Sequence, residues 1–169
     1  MTSFASKTAT GARNSVTPTH TIDVVREIAA PVQAVWNRVS DHAATHTWVL
    51  LARVHLLEEG TPPPNGVGAI RQVSFPSKRL WSTIDERIVA FEAPRTFSYE
   101  IIRGMPGLRA HRGTLTVDAI DTTRSRLTWH IDFEFSRLHP FGWIAGPFTR
   151  TFRGVIQDAV DELARQLAT

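Results

Sequence analysis

REIAAPVQAVWNRVSD, residues 26–41, turns a strand into a helix within a few positions. The β-branched run Thr21-Ile22-Asp23-Val24-Val25 opens an extended segment, Thr19 to Ile28, which stops at Ala29-Ala30. Pro31 follows, where a first helical turn tolerates its missing N–H, since that donor has no intrahelical partner anyway. Val32, Val35, Trp36 and Val39 then recur at i, i+3, i+4 and i+7, the apolar face of a short helix over Pro31 to Ser40. A second short helix is expected over His42 to Trp48.

Downstream the pattern changes to strands. Ala52 to Glu58 is extended, and Gly60-Thr-Pro-Pro-Pro-Asn-Gly66 is a loop by composition. Strands are expected over Val67 to Phe75, Leu80 to Phe91, Thr96 to Arg103, Arg109 to Ile120 and Arg124 to Phe135. Turns lie at Glu92-Ala-Pro-Arg95 and Asp121-Thr-Thr. The C-terminal segment carries one wide apolar stripe, Phe148, Phe152, Val155, Ile156, Ala159, Val160, Leu163 and Leu167, at helical spacing. Pro147 is expected at or near the start of that helix. So wide a stripe needs a large partner, and the sheet is the one available.

This order, β-α-α-β6-α, resembles the START-related superfamily, also called Bet v 1-like or SRPBCC, and most closely its polyketide cyclase/dehydrase branch. The matching pieces are REIAAPVQAVWNRVSD, the Trp48 position, LLEEG with NGVGAIRQVSF, RIVAFEAPRTFSYEI and SRLTWHIDFEF. The resemblance implies an α+β helix-grip fold. In it a curved seven-stranded antiparallel sheet wraps a long C-terminal helix, with two short helices after the first strand. It also implies an elongated pocket for lipids, steroids, polyketides or other aromatic molecules. The expected layout is a single domain over residues 19–169, behind a flexible tail at 1–18 that is rich in Ser, Thr and Ala.

Composition narrows the function classes. A chain of 169 residues, 42% hydrophobic with five Trp and nine Phe, reads as one globular domain. Without cysteine, neither disulfides nor thiolate chemistry is available. No apolar run is long enough to span a bilayer, and the N-terminus has no continuous apolar core of a secretory signal, so a cytoplasmic location is the default and stable membrane insertion is not expected. The balance of 19 basic to 16 acidic residues gives +3. The charges are spread along the chain without a Lys/Arg block, which argues against a nucleic-acid partner.

Period-2 alternation assigns side chains to faces. Leu127, Trp129, Ile131, Phe133 and Phe135 share one face of the last strand; His130 lies on the other. With Thr122 central to the turn, Trp129 opposes Leu115 and Phe133 opposes His111, so His111 falls inside with Gly113 and Leu115. Phe97, Tyr99 and Ile101 point inward on their strand. Val67, Ala69, Arg71, Val73 and Phe75 share a face that the resemblance turns inward. The faces of Trp81 to Phe91 do not separate into apolar and polar sets.

The expected cavity lining is therefore Trp48, Arg71, Val73, Phe75, Phe97, Tyr99, Ile101, His111, Leu115, Trp129, Phe133, Phe152 and Ile156. Arg71, Tyr99 and His111 are the inner polar set and the candidates for catalysis. They either orient a ligand's carbonyl, phenol or carboxylate, or are satisfied internally, Arg71 by Asp85 or Glu86 and His111 by backbone. His42 and His46 stand i, i+4 apart beside Asp41, yet no third ligand is identifiable, so they read as surface residues and no metal is expected. No nucleophile motif or dinucleotide fingerprint occurs, and no cofactor is expected. Arg103 to Arg109 and Leu138 to Phe148 place apolar residues beside Gly and Pro, as a gate, a membrane-touching lip or ordinary loop packing.

The leading expectation is a carrier or sensor that binds a hydrophobic small molecule, as a monomer or homodimer. A polyketide cyclase/aromatase using the same cavity is the alternative. A stress-response or toxin–antitoxin interaction module is a further one, favoured if the cavity is filled and lacks inner polar residues.

Overall fold

The computed structural model describes residues 20–50, 52–75, 83–136 and 138–168. β1 (His20–Ile28) leads into α1 (Val32–Val39) and a 3₁₀ turn at Ala43–Thr47. Six strands follow: β2 (Arg53–Glu58), β3 (Ile70–Ser74), β4 (Thr83–Glu92), β5 (Thr96–Arg103), β6 (Leu108–Ala119) and β7 (Ser125–Phe135). α2 (Phe141–Leu167) ends the chain. The strands form one antiparallel sheet in the order β1-β7-β6-β5-β4-β3-β2, so the N-terminal strand closes an edge beside the last strand. This is the expected helix grip.

The opening segment behaves as its pattern requires. Val35, Trp36 and Val39 of α1 are buried, and Trp36 meets Phe91 and Phe97 edge-on at 5.3 and 6.2 Å. Ser125 Oγ–H donates to the Ala30 carbonyl at 2.8 Å, pinning the strand-to-helix corner onto β7. α2 buries Ile156, Ala159, Val160, Leu163 and Ala164 against the sheet. Near its C-terminus Gln166 Nε2 donates to the Thr47 carbonyl at 2.7 Å, fastening the helix to the 3₁₀ turn. No helix among the described residues is long and apolar enough to cross a membrane.

Three local expectations are corrected. α2 starts at Phe141, so Pro147 lies inside it; Gly142, Gly146 and the two flanking prolines disguise its first turns as a loop. β3 starts at Ile70, so Val67 is exposed in the preceding turn, where Gly68 takes φ +91°. His42 is 1% exposed, not a surface residue, because the His42–Trp48 stretch is a tight 3₁₀ turn that tucks its first ring inward beside Phe97, 5.3 Å away. The Leu80–Trp81 start expected for the fourth strand, the residue 1–18 tail and Thr169 lie outside the described residues.

Candidate functional site

Between the inner face of the sheet and α2 lies a cavity of about 310 Å³. α2 contributes Phe148, Phe152, Val155 and Ile156 to one wall, and β7 contributes Trp129 and Phe133 to the facing one. Phe133 and Phe148 meet edge-on at 6.0 Å, and Phe148 stacks on Phe152 at 5.4 Å, so this side is aromatic. The 3₁₀ turn, β2 and residues between them close another side with Thr45, Val49, Ala52 and Val54.

The polar side chains stand together on β3, β4, β5 and β6. Arg71 faces Glu86 across the β3–β4 pair, and its Nε–H donates to Glu86 Oε2 at 2.7 Å with both side chains buried. The guanidinium lies 4.7 Å from the Tyr99 ring centroid and 5.7 Å from that of Phe97. Cation–π attraction and the carboxylate together offset part of the cost of burying the charge. Burial pushes the Glu86 carboxyl above its ordinary range, against the pull of Arg71.

Tyr99 Oη accepts the Trp129 Nε1–H at 3.0 Å. Burial, helped by the Glu86 charge, raises the phenol above its usual range, so it stays protonated. His111 Nδ1 accepts the Ile101 backbone N–H at 3.3 Å. Burial, reinforced by Arg71, lowers the imidazole from 6.5 to about 4, so at neutral pH the ring is uncharged. With Nδ1 accepting, the tautomer inferred carries its proton on Nε2. Three donors thus sit on the cavity's polar side: the Arg71 Nη groups, the Tyr99 hydroxyl and His111 Nε2–H.

Of the sequence-predicted lining, Arg71 and Val73 on β3, Phe75 just after it, Tyr99 and Ile101 on β5, and His111 on β6 reach the cavity. So do Trp129, Phe133, Phe152 and Ile156. Trp48, Phe97 and Leu115 do not; each is at most 2% exposed and packs behind the wall, Trp48 against Trp129 at 5.8 Å and Phe97 against Trp36 and His42. Sequence reasoning missed Glu86, Ile84, Met105, Phe148 and Val155 as lining, together with the 3₁₀-turn and β2 residues. Phe148 and Val155 were legible in the α2 stripe. Glu86 was hidden by a register shift between Asp85 and Glu86 in the β4–β5 pairing.

Other polar candidates are placed elsewhere. Asp85, on the opposite face, binds Arg103 Nε–H at 2.6 Å and Gln72 Nε2–H at 3.2 Å. His130 stands on the outer face opposite Thr114, between Asp23 at 2.6 Å and Asp132 at 2.9 Å; the Asp23 hydrogen bond raises its pKa. No cluster of three or more His, Cys, Asp or Glu side chains suited to a metal occurs among the described residues.

A family model described as polyketide cyclase / dehydrase and lipid transport matches residues 19–168. The chain belongs to this family. Among solved structures, Thalictrum flavum norcoclaurine synthase in complex with dopamine and hydroxybenzaldehyde is similar, at 16% identity and TM-score 0.69, over 99% of this chain and 97% of that one. A point mutant of that synthase with a transition-state analogue gives 16% and 0.68, over 88% and 94%. A Thermobifida fusca protein solved by NMR gives 24% and 0.64, over 87% and 92%. At these identities the likeness is one of fold, the Bet v 1-like one. No curated protein matches the sequence.

Proposed function

We propose that the protein is a carrier or sensor for a hydrophobic small molecule whose polar end consists of neutral hydrogen-bond acceptors, such as carbonyl oxygens. One observation carries this reading. Apart from Thr45 and the Glu86 carboxyl, the polar side chains lining an otherwise apolar cavity offer hydrogen-bond donors, held in direction by Trp129, Ile101 and Glu86. Donors buried without acceptors are costly, so a ligand that supplies acceptor oxygens relieves that cost. The Arg71–Glu86 pair is already neutral. A carboxylate ligand adds a charge unless Glu86 takes a proton; a ketone adds none.

The test is a thermal-shift and native mass-spectrometry series with a matched aromatic ketone and carboxylic acid, alongside fatty acids, sterols and aromatic polyketides. The ketone is expected to raise Tm without pH dependence. Its effect should fall strongly in Tyr99→Phe and vanish in Val155→Phe, which fills the cavity from α2. Acid binding is expected to strengthen as pH falls. If no compound in the series shifts Tm, the reading fails for those classes.

A second reading, a cyclase/aromatase-type enzyme, is favoured by the same donors, which would polarise a carbonyl toward its enol. Against it, Glu86 is the one carboxyl among the described lining residues and is held by Arg71, and neither it nor His111 is a free base. Turnover of a poly-ketone mimic that is lost in His111→Ala would favour catalysis over carriage. The open cavity and its inner polar residues weigh against a purely protein-binding module.

A further inference from the structure

The cavity-lining stripe of α2 does not end at the cavity. Phe152 and Phe148 line it, and one turn earlier, at i−4, Ile144 continues the stripe into solvent at 50% exposure. Trp143 beside it is 84% exposed and Leu138 is 99% exposed. The segment leading into α2 lies against the β5–β6 turn: Ser136 N–H donates to the Gly107 carbonyl at 2.7 Å, and a Cβ at Gly107 would stand 2.6 Å from the His139 ring. Met105 of the same turn lines the cavity. An indole, an isoleucine and a leucine therefore stand free beside one end of the cavity.

Charge is distributed to match. Residues 101–117 and 135–157 contain Arg103, Arg109, Arg112, Arg137, Arg150 and Arg153 and not one Asp or Glu. These two segments carry +6 against +3 for the whole chain, which leaves −3 for the rest. They meet where Leu108 of the first pairs with Phe135, the first residue of the second. Arg112 pairs with Glu100 at 2.6 Å and Arg153 donates to the Asp23 carbonyl at 3.0 Å. Arg103 and Arg109 reach Asp85 and Glu134, yet these cations face outward and the anions inward, with side chains 76% and 66% exposed against 4% and 19%. Arg150 is exposed and forms no ion pair among the described residues.

We propose that this end of the molecule docks reversibly on an anionic lipid surface. Trp143, Ile144 and Leu138 enter the headgroup boundary, and the exposed Arg103, Arg109 and Arg150 hold the phosphates. Exposed Trp and aliphatic side chains with cations beside them suit the bilayer interface, and the area involved permits surface contact rather than insertion. Docking in this pose sets the cavity end marked by Met105 and Phe148 against the lipid. The proposal stands on exposed side chains and charge, so it survives if the ligand reading fails, and the reverse also holds.

The test is co-sedimentation of the full chain with vesicles of phosphatidylcholine alone and of an equimolar mixture with phosphatidylglycerol. Variants are Leu138→Ser plus Trp143→Ser, and Val25→Ser as a control exposed on β1. Wild type is expected to bind the anionic vesicles and to release with added salt. The double variant should bind at least about tenfold more weakly with unchanged Tm, and Val25→Ser as wild type. In wild type but not in Trp143→Phe, brominated lipid should quench part of the fluorescence. Wild type that pellets with neither vesicle overturns the proposal, as does a double variant that binds undiminished. So does a wild-type dimer that the double variant dissolves without any vesicle binding, which would make the patch a contact between copies.

Discussion

The phenol ring of Tyr99 fills the space that a side chain at Gly113 would need. The two residues are paired across β5 and β6, and a Cβ at Gly113 would stand 2.2 Å from Tyr99 Cζ and 2.5 Å from Oη. The missing side chain lets the ring lie across the neighbouring strand and present its oxygen to Trp129. Gly113→Ala should therefore displace the ring, strand the Trp129 N–H and cost about 1–3 kcal/mol in urea unfolding. In a Tyr99→Leu background the same alanine should cost far less. Additive losses would show that the two positions do not share this space.

The Arg71–Glu86 pair makes an asymmetric prediction. Arg71→Ala leaves a carboxyl buried without its cation, and Glu86→Ala leaves a buried guanidinium; each should cost about 3–5 kcal/mol. Arg71→Met combined with Glu86→Leu removes both charges and should recover most of that loss. Chemical denaturation of the four proteins checks it. A double variant no better than the worse single one would mean that the pair holds the β3–β4 register rather than merely neutralising itself.

His42 is buried with neither ring nitrogen hydrogen-bonded among the described residues. Burial, then Arg71, lowers its pKa from 6.5 to about 2. Because the folded-state value is depressed, the neutral ring's contribution is fully present above pH 6.5 and is lost as pH falls toward the folded value. The loss is about 1.4 kcal/mol per pH unit. His111 acts with the same sign between 6.5 and about 4. Raised Glu86 acts with the opposite sign, losing stability as pH climbs above its ordinary range. The clean measurement is thus the difference between wild type and His42→Leu. The leucine should stabilise by about 1 kcal/mol at pH 7 by removing two unsatisfied polar atoms. Its advantage should widen by about 2 kcal/mol between pH 6.5 and 5. A constant difference across that range would show that His42 takes up its proton in the folded protein as readily as in the unfolded chain.

The inner face of β6 and β7 was legible because a tight turn at Asp121–Thr123 fixes register, and register fixes every face beyond it. Leu115 duly pairs with Trp129 and His111 with Phe133. β4 was not legible. It shifts register against β5 between Asp85 and Glu86 and again between Ile88 and Ala90, and two adjacent carboxylates are both buried on opposite faces. Simple alternation predicts one buried and one exposed, so the partner of Arg71 stayed ambiguous. Depth was hidden as well. Phe97 and Leu115 face inward as read, but whether an inward residue touches the cavity or only supports its wall depends on how far α2 stands off the sheet. No strand pattern contains that distance.

Pro147 interrupts the α2 hydrogen-bond ladder at the helix's seventh residue, where it has no N–H for the Trp143 carbonyl. Nearby, the Thr149 hydroxyl donates to the Ala145 carbonyl at 2.6 Å, easing the same turn. Pro147 is exposed, so its replacement gives up little packing. Pro147→Ala should restore the missing bond and stabilise the protein by about 1–3 kcal/mol, with a gain in helical circular dichroism. Gly154→Ala, on the same helix with nothing within 4 Å of the added Cβ, supplies the yardstick at about 0.5–1 kcal/mol. A rise in Gly154→Ala with a fall in Pro147→Ala would show that the proline sets the helix direction that carries Phe148 over the cavity. In that case Pro147→Ala should also weaken ketone binding in the thermal-shift series.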